Sequence, residues 1–266
     1  MTEESKVTEE PIVTEEPIVT EEPAVTAEPA VTEEPAVTAE PTAGEELDGP
    51  TYALYASFAS DGQRPMNGQE RSNAALHAQQ AFDASEATLR GAYTVTGYRA
   101  DTDLLVWLVG HSADAVQDAL ISFRHTMLGQ HLRPIWSAIG VHREAEFAKS
   151  HTPAFMRGEE PRKYVSVYPY VRSLDWYLLP EQERSEMLRE HGMMGRSRPE
   201  VRANTVSAFA LGDYEWLLAF ECDELEPIVD LMRHLRSAQA RRHTREEIPF
   251  TTGRRRPLAD IVEDLP

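Results

Sequence analysis

The order strand, helix, strand, strand, helix is written twice in this chain, and that repetition limits its fold more than any other feature. In the first copy Tyr52-Ala53-Leu54-Tyr55-Ala56-Ser57-Phe58 alternates in the manner of a half-buried strand. A helix is expected over 67–90, strands over 92–99 and 104–110, and a helix over 112–127 with Asp114 in its first turn. After residue 160 the order recurs: a strand over 163–170, a helix over 180–190, strands over 205–211 and 215–221, and a helix over 224–241. The copies superpose without a gap. Thr94-Val95-Thr96-Gly97-Tyr98 lies over Thr205-Val206-Ser207-Ala208-Phe209, and Leu104-Leu105-Val106-Trp107 then falls over Glu215-Trp216-Leu217-Leu218.

An α+β fold of two tandem ferredoxin-like halves follows as the economical reading. Each half offers one sheet face to its own helices and leaves the other free. Two such sheets can associate into a dimeric α+β barrel-like core, with a cavity between one half's sheet and its helices. The halves are expected at 49–145 and 146–266, joined by a connection over 130–160 that contains Pro134, Trp136, Gly140 and Pro153. A connection of that length is often functional.

Residues 1–48 are of another kind. They hold 15 acidic residues and one basic residue, Lys6, so most of the formal charge of −19 belongs to them. Six hexapeptide copies related to Val-Thr-Glu-Glu-Pro-Ile run from Val7 to Thr42 and place Pro11, Pro17, Pro23, Pro29, Pro35 and Pro41 at every sixth position. Proline at that spacing blocks both helix and central strand. Dense like charge without aromatic residues leaves too little apolar area to offset ordering entropy. This arm is expected to be extended and solvated, as a solubilising tail or as a docking arm for a basic partner.

One cysteine, Cys222, excludes an intrachain disulfide framework and a cysteine-based zinc site. There is no apolar run of membrane-spanning length, and the N-terminus is acidic rather than basic and apolar, unlike a secretory signal. A cytoplasmic protein is expected, with neither nucleic acid nor membrane as partner.

Several residues could carry chemistry. His191 follows the helix-forming Ser185-Glu186-Met187-Leu188-Arg189-Glu190 and precedes Gly192, a candidate C-terminal cap with positive φ. Its imidazole can stabilise a helix end through the dipole, or ligate a metal such as porphyrin iron. A ligating imidazole must be neutral and oriented through its other nitrogen, for which Glu190 and Asp213 are the neighbouring acceptors in sequence. On a strand, Tyr164, Ser166, Tyr168 and Tyr170 share one face and Val165 and Val167 the other. Tyr168 and Trp176 are then either core packing or redox-active aromatics. His151, in the connection, is either a solvated loop histidine or a base placed over a cavity. Arg172, Arg233 and the cluster Arg241-Arg242-His243 either bind carboxylates or form a solvated face. The arginines at 254–256 read as surface charge.

These pieces fall in an order that resembles a known family. They are Lys163-Tyr164-Val165-Ser166-Val167-Tyr168-Pro169-Tyr170-Val171-Arg172-Ser173-Leu174-Asp175-Trp176-Tyr177, Glu190-His191-Gly192-Met193-Met194-Gly195-Arg196 and Val201-Arg202-Ala203-Asn204-Thr205. Leu211-Gly212-Asp213-Tyr214-Glu215-Trp216 and Arg241-Arg242-His243-Thr244-Arg245-Glu246-Glu247 complete the set. Together they resemble the coproheme decarboxylases of the chlorite-dismutase-like family in their actinobacterial form, from about residue 50 to the C-terminus.

The resemblance implies an enzyme that binds iron coproporphyrin III (coproheme). With hydrogen peroxide it converts two propionates to vinyls, releases carbon dioxide and leaves haem b. It implies His191 as proximal iron ligand, Tyr168 as the tyrosine that abstracts hydrogen from a propionate, and His151 as the distal base that deprotonates peroxide. It implies Trp176 beside the second reacting propionate, Arg172 and Arg233 at propionates, and Asn204 at a distal polar position. A homopentamer and transient contact with coproporphyrin ferrochelatase are implied as well. Chlorite-splitting relatives carry a distal arginine where Asn204 stands, which argues against chlorite as substrate. A haem peroxidase, a chlorite-splitting enzyme and a haem chaperone are the alternatives.

Overall fold

Strand β1 (Tyr52–Ser60) is buried along nearly its whole length, on both faces. Leu54, Ala56 and Phe58 enter one core, while Ala53 and Tyr55 enter another. The alternation expected of a half-buried strand is therefore covered twice, because layers lie on either side of it. The computed structural model describes residues 50–62, 66–144 and 152–266; the proline-repeat arm and His151 lie outside them.

From β1 the chain forms α1 (Gly68–Asp83), β2 (Thr88–Thr94), β3 (Leu104–Gly110), α2 (Ala113–His125), α3 (Met127–His131) and β4 (Leu132–Val141). It continues through β5 (Tyr164–Arg172), α4 (Glu181–Gly195), β6 (Arg202–Ser207), β7 (Trp216–Cys222) and α5 (Glu226–Leu235). It closes with β8 (Thr244–Glu246), β9 (Thr251–Arg255) and α6 (Leu258–Asp264).

Local chemistry sets these bounds. Asn67 and Glu70 form a reciprocal capping box that starts α1. The helix stops earlier than the expected residue 90, where the Ser85 hydroxyl lies between the carbonyls of Phe82 (2.7 Å) and Ala87 (2.6 Å), either of which can accept its hydrogen, and the chain turns. β2 likewise ends before the expected residue 99. Gly97 has φ of 91° and Tyr98 N–H returns to the Val95 carbonyl at 2.9 Å, which makes a turn. Ser112 caps α2 through its side chain.

The strands are antiparallel in the order β7-β6-β4-β1-β3-β2-β9-β5, and β5 also pairs with β7, so the pairings return on themselves. Within that circuit β4-β1-β3-β2 and β9-β5-β7-β6 repeat one order. The seams between the two groups are thin. Val141 opposite Ser207 joins β4 to β6, and Tyr93–Arg255 with Thr94–Arg254 joins β2 to β9. β8 pairs with the end of β5. Pro169 falls where β5 passes from β9 to β8, so its missing N–H costs no ladder bond.

Other elements also differ from expectation, β6 (Arg202–Ser207) and the shorter α5 (Glu226–Leu235) among them. β4 occupies much of what reads as a connection, and pairs with β1 along its whole length. β9 carries Arg254 and Arg255, which read as surface charge; their side chains are exposed while their backbone joins β5 to β2. α6 packs Ile261 and Val262 into the core beneath α1.

Three cores result. The largest lies between the first strand group and α1, α2 and α6. A second lies between the two strand groups, around Tyr55, Trp107, Val165, Val167 and Leu217. The third, between the second strand group and α5, is much smaller and centres on Tyr168, Phe220, Ile228 and Leu231. Among the described residues no helix is long and apolar enough to cross a membrane.

Candidate functional site

Of the sequence-predicted residues, Tyr168 lies in the small third core. Alternation along β5 sends Val165 and Val167 into the central core and Tyr168 to the opposite face. Tyr168 is 4% exposed; it stacks on Phe250 with ring centres 4.5 Å apart and meets Phe220 edge-on at 5.8 Å. Its hydroxyl points to Met232 Sδ at 3.8 Å. Burial, and then the charge of Glu247, push its pKa far up, so the phenol keeps its proton throughout the neutral range.

Arg172 ends the same strand. Its backbone N–H donates to Glu215 Oε2 at 2.8 Å, and its Nη1 donates to Tyr170 Oη at 2.6 Å and to the Ala240 carbonyl at 3.4 Å. The guanidinium lies 4.1 Å from the ring centre of Trp176, which is buried in a 3-10 turn just beyond the strand. His243 covers Trp176 as well, with ring centres 5.4 Å apart. Arg172, Trp176 and His243 form one continuous wall.

His191 stands on α4, and α4 is unusual. It is a 15-residue helix with no buried side chain. Its half-buried positions include Arg184, Met187, Leu188, His191 and Met194, spaced as one helical stripe. The helix packs mainly on α5 and on the 3-10 turn Gln239–His243 rather than on the strands. Burial, and then the nearby Arg172 guanidinium, lower the His191 pKa below its ordinary value. The imidazole is neutral at neutral pH, as a ligating histidine must be.

Several expectations are corrected. His191 does not end its helix, which runs on to Gly195, and Gly192 is not among the glycines with positive φ. Glu190 accepts the Gln239 backbone N–H through Oε2 at 2.8 Å, and its charge also acts on His191. Asp213 lies exposed between β6 and β7.

Asn204 is not brought to this site. It is 1% exposed and points into the central core. There its Oδ1 accepts Phe155 N–H at 3.1 Å, and its Nδ2 donates to the Ala219 carbonyl at 3.2 Å and to Glu221 Oε2 at 3.0 Å. Its neighbours Ala203 and Thr205 take the opposite face, and Ala203 packs against the Tyr168 core. Arg233 is not brought there either. It is exposed on α5, whose inner side is formed by Ile228, Leu231, Met232 and Leu235. His151 lies outside the described residues.

Three groups escaped the sequence reading. Met232 lies against the Tyr168 hydroxyl. Glu247 binds both Arg236 and Arg241 through one oxygen. On the far side of the strands, Arg90 and Glu221 form a buried ion pair at 2.7 Å. The density of charge over 241–247 was the one visible signal for the second of these.

The surroundings of Tyr168, Arg172, Trp176 and His191 combine a neutral imidazole, a protonated buried phenol, an indole and a guanidinium. Such a set can ligate a metal, exchange a hydrogen atom and hold a carboxylate.

Comparison with known proteins agrees with this set. A coproheme decarboxylase from Mycolicibacterium smegmatis is 56% identical to this chain over 179 residues, spanning 67% of this chain and 78% of that protein. Two solved structures of chlorite dismutase from Candidatus Nitrospira defluvii are similar in fold. One, a point mutant, gives a TM-score of 0.73 at 21% identity, covering 82% of this chain and 95% of that chain. The other, in complex with imidazole, gives 0.72 at 21% identity, covering 80% of this chain and 94% of that chain. The family model described as chlorite dismutase matches residues 71–256, and the chain belongs to that family.

Proposed function

We propose that this chain is a coproheme decarboxylase: it oxidatively decarboxylates two propionates of iron coproporphyrin III with hydrogen peroxide and yields haem b. The observation that carries the reading is α4. A long helix that holds a half-buried stripe around a neutral His191, yet buries nothing against the strands, fits a flat apolar macrocycle between that stripe and the Tyr168 face. The 56% identity to a coproheme decarboxylase supports the same substrate.

Each turnover is balanced as one propionate and one peroxide giving one vinyl, one carbon dioxide and two waters. The bound substrate iron, oxidised by peroxide, supplies the two oxidising equivalents. His191 binds that iron through a neutral imidazole and fixes the macrocycle against α4. Tyr168 would give its phenolic hydrogen atom to the first equivalent and take one back from the propionate β-carbon, and the second equivalent would take the electron left on the substrate as the carboxylate departs as carbon dioxide. Its raised pKa suits this, because a phenol that holds its proton gives up proton and electron together. Arg172 orients a carboxylate, and Trp176, stacked beneath it, keeps the guanidinium flat and lines the second reacting position. His151 is the base for peroxide. Asn204 acts from within the central core, by fixing Phe155 and Glu221, rather than on the substrate.

The repeated strand order supports two ferredoxin-like halves closed into an α+β barrel. A homopentameric, cytoplasmic enzyme that receives coproheme from a coproporphyrin ferrochelatase completes the reading. The test is to load the protein anaerobically with coproheme, titrate peroxide and follow the porphyrin mass. Two successive losses, each of one carbon dioxide and two hydrogens, are expected. Bound porphyrin of unchanged mass contradicts the proposal and favours a haem chaperone.

A further inference from the structure

Two cations share one oxygen beside this site. Arg236, at the end of α5, and Arg241, in the turn Gln239–His243, both donate from Nη1 to Glu247 Oε2, Arg241 at 2.5 Å. The Glu247 side chain is 13% exposed, while each arginine side chain is 39% exposed. One carboxylate can hold two guanidinium groups but balances the charge of only one. Here two guanidinium groups stand on one, which leaves a net positive charge on the more exposed side.

The surroundings direct that charge to the cleft. The turn that carries Arg241 is held by Glu190, the neighbour of His191, through the Gln239 N–H at 2.8 Å, and by Arg172, which donates to the Ala240 carbonyl at 3.4 Å. The chain leaving Glu247 leads directly to Phe250, which stacks on Tyr168. The cluster thus borders the Tyr168 wall, the Arg172 wall and the helix of His191 at once.

We infer that Arg236 and Arg241 form a fork for one carboxylate arm of the porphyrin, and that Glu247 is the internal carboxylate that aligns the fork and competes with that arm. Guanidinium groups bind carboxylates through paired N–H donors, and each arginine keeps donors besides the one given to Glu247. A substrate with four carboxylates needs more than Arg172 to fix its rotation about the iron axis. A prealigned fork on a second side of the ring supplies that register. This inference rests on the coproheme reading above.

The test is binding of metal-free coproporphyrin III to the full chain, followed by porphyrin fluorescence at low and high salt. Replacing both cations, Arg236→Gln with Arg241→Gln, is expected to weaken binding by about tenfold or more and to flatten its salt dependence. Glu247→Gln is expected to do the reverse, with several-fold tighter and more salt-sensitive binding. The double variant strands a largely buried carboxylate, so the triple variant that also carries Glu247→Gln serves as its folding control and is expected to bind as weakly. Wild-type affinity in the triple variant overturns the fork, and weaker binding by Glu247→Gln overturns the competition. A wild-type chain that binds no coproporphyrin III instead overturns the substrate reading itself.

Discussion

The Arg172 guanidinium lies 4.1 Å from the centre of the Trp176 ring and donates to Tyr170 Oη at 2.6 Å, so indole and phenol together fix a cation at the end of the strand that carries Tyr168. Lysine keeps the charge but loses the flat stacking face and the forked donors. Arg172→Lys is therefore expected to fold and to bind coproheme about tenfold more weakly, from the roughly 1–2 kcal/mol that stacking and a directed donor supply. Titration of the apoprotein with coproheme measures this. An unchanged Kd removes Arg172 from the carboxylate site.

His191 gives the apoprotein a pH signature. Its ordinary pKa is 6.5, and burial followed by Arg172 lowers it in the folded chain. As pH falls below 6.5 the unfolded chain takes up a proton that the folded chain resists. The stability is complete above that value and is lost as pH drops toward the lowered folded value. Unfolding by urea between about pH 8 and pH 5 should show this loss, and His191→Gln should make that part of the profile flatter. A profile that the substitution leaves unaltered contradicts a buried, neutral imidazole.

Arg90 and Glu221 tie the two strand groups together inside the central core. Their side chains are 7% and 0% exposed and meet at 2.7 Å, and Asn204 donates to the same Glu221 oxygen at 3.0 Å. Arg90→Ala leaves a buried carboxylate without its cation and is expected to cost about 3–5 kcal/mol. Changing both residues, Arg90→Met with Glu221→Leu, should recover most of that loss, because the desolvation penalty goes with the charges. Chemical denaturation of the single and double variants decides it.

Gly140 marks a seam. A Cβ there would meet Val206 Cγ2 at 2.5 Å and the Ser207 carbonyl at 3.0 Å, beside the Val141–Ser207 pair that joins β4 to β6. Gly140→Ala is expected to destabilise the fold by about 1–3 kcal/mol, as overpacking does. Gly192→Ala has open space around it and should leave the apoprotein's stability nearly unchanged.

What the sequence conveyed depended on the length scale of the signal. β1 was legible as a strand from its apolar run, although it is buried on both faces rather than half-buried, and alternation along β5 separated Tyr168 from Val165 and Val167. β4 was not legible, because Pro134 and a mostly half-exposed pattern hide its pairing with β1. Asn204 shows how sharp the limit is. One residue of register separates the central core from the Tyr168 face, and Ala203 and Thr205, not Asn204, lie on that face. Gly192 suggested a helix end that packing on α5 and on the turn at 239–243 overrides. For Glu247 the sequence offered only a charge-dense stretch, because its partners Arg236 and Arg241 meet it only once the chain has turned.

In the proposed reaction Tyr168 performs the hydrogen transfer while His191 holds the substrate iron. Tyr168→Phe keeps the ring that stacks on Phe250 and removes only the hydroxyl that faces Met232. The direct measurement is porphyrin mass after peroxide is added to the coproheme-loaded Tyr168→Phe protein, beside the wild type. Both proteins are expected to bind coproheme tightly, and the wild type alone to release carbon dioxide. Decarboxylation by Tyr168→Phe at the wild-type rate would contradict hydrogen transfer by Tyr168.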